Sequence, residues 1–163
     1  MGTARFKFIL GTVMDTLDLP QLKVIAKDLE DLQIIAAHLQ DALIPLLSFQ
    51  HNAETETFTA LANRFCWEHA PLDHEGAPLY HRVHSGLCIH HVKKVHKKGF
   101  QSTDTNQLYN LMTINGQNEG ALHLVFSDGH EIRVEIDHIH LKLGDVSHPW
   151  PTRHAPKQLH EHV

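Results

Sequence analysis

The chain has 163 residues, 42% of them hydrophobic and 20% charged, a composition that fits one globular domain and excludes a disordered chain. A net charge of -5 and a pI near 6.4 exclude a protein held on nucleic acid by its overall charge. No run reaches the roughly 20 apolar residues that a membrane helix needs, and the two cysteines, Cys66 and Cys88, make no secreted disulfide framework, so the expected location is the cytoplasm.

At the start, Arg5 and Lys7 precede Phe8-Ile9-Leu10, but Asp15 and Asp18 follow instead of a small-residue cleavage site. Residues 1–19 read as a flexible N-terminal arm, with Met14 as an alternative start, residues 20–147 as a single domain, and the Pro- and His-rich residues 148–163 as a flexible C-terminal tail. Leu22 to Ile25 is a short strand. Asp28 then caps a helix with Glu30 and Asp31 in its first turn, where the helix dipole favours negative charge. Leu32, Ile35, Leu39 and Leu43 form its stripe, and Pro45 stops it.

The period then becomes two. Ile44 to Phe49 reads as a strand and His51 to Glu54 as a turn. Thr57 to Glu68 reads as the returning strand, with Leu61, Asn63, Phe65 and Trp67 on one face and Arg64, Cys66 and Glu68 on the other. Residues 69–78 form a loop. Leu79 to His96 is a long extended segment with Val83, Leu87 and Ile89 inward and a bulge or bend near His90-His91. Leu108 to Ile114 is another strand, followed by a loop from Asn115-Gly116 to Gly120. Leu122, Leu124 and Phe126 alternate, Asp128-Gly129 turns the chain, and Ile132, Val134 and Ile136 alternate back, which is a hairpin. Asp137 then caps a closing helix through Ile139, Leu143 and Val146. The expected fold is therefore α+β: a curved antiparallel sheet of about six strands, in the manner of a pleckstrin-homology-like barrel, with an N-terminal and a C-terminal helix.

Seventeen histidines invite a metal reading. On a strand Cys88 and His90 share a face and could share an ion, whereas His138 and His140 diverge if they lie on a helix. None of the histidines, His81 and His84 included, stands at a zinc-motif spacing. The favoured reading is scattered surface imidazoles, with no metal and no cofactor. Cys66 lacks the glycine elbow or helix start that would make it a nucleophile. Lys93, Lys94, Lys97 and Lys98 form a basic run. It is an anion or nucleic-acid candidate, but no aromatic residues are interleaved for stacking, and lysines also protect strand edges.

The segment Asn63 to Glu68 carries most interest. If its face is buried, the Asn63 amide needs a partner. Arg64 and Glu68 lie about 13 Å apart along an extended strand, too far to pair, so each needs a cross-strand partner, and Arg82 is a candidate for Glu68. Asn63, Arg64, Trp67, Glu68 and Arg82 are thus either a fold-defining polar anchor or the wall of a ligand pocket.

His38-Leu39-Gln40-Asp41-Ala42 and Ala62-Asn63-Arg64-Phe65 with Trp67-Glu68 resemble the signature of an uncharacterised alphaproteobacterial family, domain of unknown function 2948. The similarity continues through Ile89, Val92 and Val95 with Gly99, then Leu108 to Ile114, Gly120 to Phe126, Ile132 to Gly144 and Pro149-Trp150, about residues 21–151. The family pattern is richer in arginine around residues 80–85, where this chain has His81 and His84 beside Arg82, and its acid between Phe and Trp is Cys66 here. The resemblance implies a small cytoplasmic bacterial protein and carries no activity, cofactor or substrate with it.

The reading that follows is a non-enzymatic binding or adaptor domain for a small ligand, peptide or protein partner, with sheet edges also open to self-association. The alternatives are a histidine/cysteine metal protein or metal-dependent enzyme and, more weakly, anion or nucleic-acid contact through Lys93 to Lys98.

Overall fold

The computed structural model of the protein describes residues 21–100, 103 and 106–156. The expected arm over residues 1–19 lies outside them, as does the end of the expected tail from residue 157.

The described elements are β1 (Lys23–Ala26), α1 (Leu29–His38), β2 (Ala42–Pro45), β3 (Gln50–Asn52), β4 (Thr57–Phe65), β5 (Leu72–His74) and β6 (Ala77–Ile89). They continue with β7 (Val92–Lys98), β8 (Leu108–Gln117), β9 (Ala121–Phe126), β10 (Glu131–Ile136), β11 (Leu141–Asp145) and β12 (Trp150–Thr152). All pairings are antiparallel, and the main path runs β1-β11-β6-β4-β2-β8-β9-β10-β7. β3 is added on β4, and β5 and β12 on β6.

Asp28 caps α1 as expected, its carboxylate accepting from the Asp31 N–H at 2.8 Å. Leu32 and Ile35 turn inward onto the sheet. Leu43 is not on this helix: α1 ends at His38, and Asp41, at φ 61, redirects the chain into β2. The helix lies against β8 at Gly116, where a Cβ would collide with the Leu29 side chain. That close approach accounts for a glycine inside β8, where Gly116 pairs with Leu122; the turn comes later, where Asn118 and Glu119 take positive φ. The core fills the inside of the sheet with Ile44, Phe58, Leu87, Ile89, Leu111, Leu122, Leu124 and Val134 among others. Phe49 anchors one end, stacked on Phe58 at 6.0 Å and edge-on to Phe126 at 5.8 Å.

The six-strand sheet with two helices is corrected to a twelve-strand open sheet with one helix among the described residues, and it is no closed barrel. The C-terminal helix is a strand. Ile139, Leu141 and Leu143 alternate inward, whereas Val146, counted into the helical stripe, is 63% exposed. β3 and β5 are exposed throughout, so no apolar alternation marks them. The segment 148–156, expected to begin a tail, includes β12, where Trp150 pairs with Arg82 and Thr152 with Tyr80. The hairpin at Asp128-Gly129 is present, with both residues at positive φ, and so is the bend at His91, φ 58.

One face assignment is also corrected. On β4 the inward side is Phe58, Ala60, Ala62 and Arg64, and Leu61 faces out at 41% exposure. Phe65 and Trp67 weighted the other parity in the sequence. Phe65 is buried by Trp67, Tyr80 and Arg82 packing over the outer face, not by the core.

Candidate functional site

β4 stops at Phe65 and the chain folds back at once, the Trp67 N–H donating to the Phe65 carbonyl at 3.0 Å and the His69 N–H to the Cys66 carbonyl at 3.3 Å. This turn returns Glu68 to Arg64, whose Nη1 and Nη2 donate to the two carboxylate oxygens at 2.9 and 2.8 Å. The separation expected for a continuous strand does not apply, because the strand ends before Glu68. Arg64 Nε donates to Ser85 Oγ of β6 at 2.9 Å, and Nη2 to Asp145 Oδ1 of β11 at 3.0 Å. Ser85 donates to Asp145 Oδ1 at 2.6 Å, and Asp145 Oδ2 accepts the Leu22 N–H at 2.8 Å, just ahead of β1. One fully buried guanidinium thus joins β4, β6, β11 and the entry to β1.

The electrostatics follow from that burial. Desolvation alone would lower the Arg64 pKa, but the Glu68 hydrogen bonds and the Glu68 and Asp145 charges raise it. Burial alone would raise the Glu68 pKa, but the hydrogen bonds and charge of Arg64 lower it. The Cys66 thiol is pushed up to about 12, mainly by burial, so no thiolate nucleophile forms there near neutral pH.

Arg82 does not serve Glu68. Its Nη1 donates to the Asn63 carbonyl at 3.1 Å and to the Asn63 side-chain oxygen at 3.0 Å, and its guanidinium lies over the Phe65 ring. Trp67 Nε1 donates to the Gln40 carbonyl at 3.0 Å, tying the turn after β4 to the exit from α1. Asn63 and Arg82 are therefore joined on the outer face, and Arg64 and Glu68 on the inner one.

The basic run forms β7, at one end of the sheet path. Lys93 pairs with Glu56 at 2.8 Å, Lys94 lies opposite Glu135 and Lys98 opposite Glu131. Lys97 lies opposite Ile132, so the four lysines divide between the two faces of an edge strand and three sit beside carboxylates. His138 and His140 are not helical. His91 and His138 are 3.9 Å apart between ring centroids, and His90 and His140 are 4.7 Å apart. Among the described residues no three His, Cys, Asp or Glu side chains are placed to hold a metal ion.

A depression of about 730 Å³ lies on the outer face of β1, β11, β6 and β4. The register explains it. Leu61, Gly86, Gly144 and Lys23 stand in one row across the four strands, and Thr59, Cys88, Lys142 and Ile25 in the next. Two paired glycines remove the side chains from the middle of the first row, leaving a trough flanked by Ile25, Leu61 and Val146. A Cβ on Gly144 would meet nothing within 4 Å, and neither glycine has a positive φ. Backbone geometry and crowding therefore demand neither glycine; their effect is the open space. The trough was missed in the sequence because Gly144 sat in an expected helix. Its available signal was a glycine at the same outward position of two strands that prove to be neighbours.

The sequence profile described as a protein of unknown function, DUF2948, matches residues 22–158. The chain belongs to this family. The DUF2948 match spans every strand from β1 to β12, so the Arg64 hub and the trough both lie within it. No curated protein and no solved structure matches the chain. No described helix of this DUF2948 domain is long and apolar enough to cross a membrane.

Proposed function

We propose that the chain is a non-enzymatic binding domain whose ligand lies in the trough over Gly86 and Gly144. The observation that carries this reading is the glycine pair itself: side chains are removed where strand geometry would accept them, and the space so opened is bordered by exposed Ile25, Leu61 and Val146. On this reading Asn63, Arg64, Trp67, Glu68 and Arg82 frame the trough and do not touch the ligand. Asp145, gripped by Arg64 on the inner side, is the neighbour of Gly144 in β11. The protonated Cys66 thiol and the internal use of the Arg64 and Glu68 charges favour binding over covalent chemistry.

The test is a titration with the apolar dye ANS, followed by fluorescence, on the wild type and on Gly144→Val. The valine has room at its Cβ and suits a strand. The wild type should show saturable dye binding, and the variant should lose it while melting at the same temperature or higher. Dye binding unchanged by the valine, or none in the wild type, would overturn the reading.

A further inference from the structure

Beyond Ile25, Lys142 and Cys88, the outer face of the same strands turns cationic. Lys27 and His140 line a smaller depression together, and His90 and His140 are joined by the His90 N–H to the His140 carbonyl at 2.9 Å. Their rings lie 4.7 Å apart and tilted by 33°. Lys142 reaches both rings electrostatically and Lys27 reaches His140. Among the described residues neither Lys27 nor Lys142 has a carboxylate ion-pair partner within 4.0 Å. Asp31 accepts the Lys27 backbone N–H at 3.0 Å, Asp28 accepts the Asp31 N–H at 2.8 Å, and Asp137 contacts His138 at 3.3 Å. Nε2 of His90 is buried in this patch without a hydrogen-bond partner. In a chain of net charge -5, cations gathered at one end of an apolar trough are a local departure that a negative group would compensate.

We infer that the trough takes a free long-chain carboxylate, its alkyl chain over Gly86 and Gly144 and its head group among Lys142, Lys27, His140 and His90. This rests on the trough being a binding site. Three features favour a single chain. The glycine row crosses four strands, about 14 Å at the usual strand spacing. Its floor is backbone recessed between side-chain walls, which the flat face of a bilayer would not reach. The cations lie on the β1 and β11 side, with Lys23 at that end of the glycine row, whereas Leu61 and Thr59 leave the β4 side uncharged, as an amphiphile requires.

Burial, with the neighbouring charges of Lys142, Lys27 and the paired rings, holds the His90 and His140 pKa values below the ordinary imidazole value. The groups facing them are Lys27, Lys142, His91 and His138, the last paired with Asp137. A bound carboxylate offsets that repulsion, so binding takes up protons and tightens toward acid.

The experiment titrates the full chain with decanoate and, separately, with decan-1-ol, reading displacement of ANS. Decanoate should bind about tenfold tighter, the worth of one charge-assisted hydrogen bond. Lys142→Gln should remove that advantage and leave decan-1-ol unaffected, whereas Lys97→Gln on the far edge should change neither. From about pH 8 to about pH 6, across the imidazole range, wild-type affinity for decanoate should rise, and His90→Gln with His140→Gln should flatten the rise. Equal affinity for both compounds would remove the head-group site and leave the trough standing. Binding of neither would remove both. Equal weakening by Lys97→Gln would show diffuse charge only. Binding to phosphatidylglycerol vesicles without binding of decanoate would assign the face to a membrane surface instead.

Discussion

The strands β4, β6 and β11 carry two regions of opposite design on their two sides. Inward, Arg64, Ser85 and Asp145 bury charge and satisfy it within the fold, with Glu68 closing the set. Outward, Gly86 and Gly144, each next to Ser85 or Asp145 in its strand, and Leu61 of β4 leave apolar surface and empty space. The difference teaches how an enclosed polar cluster and an open apolar surface can share the same strands. A polar cluster draws attention in a sequence, yet here it is the enclosed side. The open side is built from residues with little or no side chain, and only neighbouring strands reveal it.

The comparison breaks most readily at Arg64. Arg64→Met retains much of the volume but strands the buried Asp145 carboxylate, and should cost about 3–5 kcal/mol in chemical denaturation. A loss below about 1 kcal/mol would mean that the hub is not the clasp described above. Trp67→Phe keeps the ring packing and removes the bond to the Gln40 carbonyl. It should cost about 1 kcal/mol, and an unchanged unfolding midpoint would argue that the link between the turn and α1 is idle.

Acid titration sharpens the contrast without mutation. His38, His90 and His140 have lowered pKa values, with burial the main cause in each. The unfolded chain then binds protons first as pH falls through about 6.5, so stability declines from there toward the lower folded values. Glu68, held below its ordinary 4.5, adds a second decline that begins only below that value, because its stabilisation is present above the unfolded pKa and lost as pH falls through the folded one. Melting temperatures recorded from about pH 8 to pH 3 should show both falls, and a flat profile between about pH 7 and pH 5 would contradict the burial of these imidazoles.

Much of the fold could be read from alternation and turn chemistry. Asp28 and its acidic first turn located α1, and Asp128-Gly129 located the β9-β10 hairpin, because each rests on short-range backbone bonding. The errors share a cause in long-range pairing. Ile139, Leu141 and Leu143 fit a strand once β1 and β6 flank them, but in isolation Ile139, Leu143 and Val146 also fit a helix. Arg64 and Glu68 read as unpaired because nothing local announced that β4 would end at Phe65. Residues 63–68 stand out in the sequence as a run of polar and aromatic side chains, whereas Ser85 and Asp145, which complete the hub from β6 and β11, are ordinary polar residues until the strands meet.

The position of β1 has a consequence for how the molecule is made. The first strand pairs with the eleventh, and the Leu22 N–H is received by Asp145. A nascent chain leaving the ribosome therefore carries β1 without its partner strand, and Arg64 without Asp145, until residues 141–145 emerge. Hairpins such as β9-β10 can zip during synthesis, but the clasp that joins β1 and β4 to β11 closes only after β11 has left the ribosome.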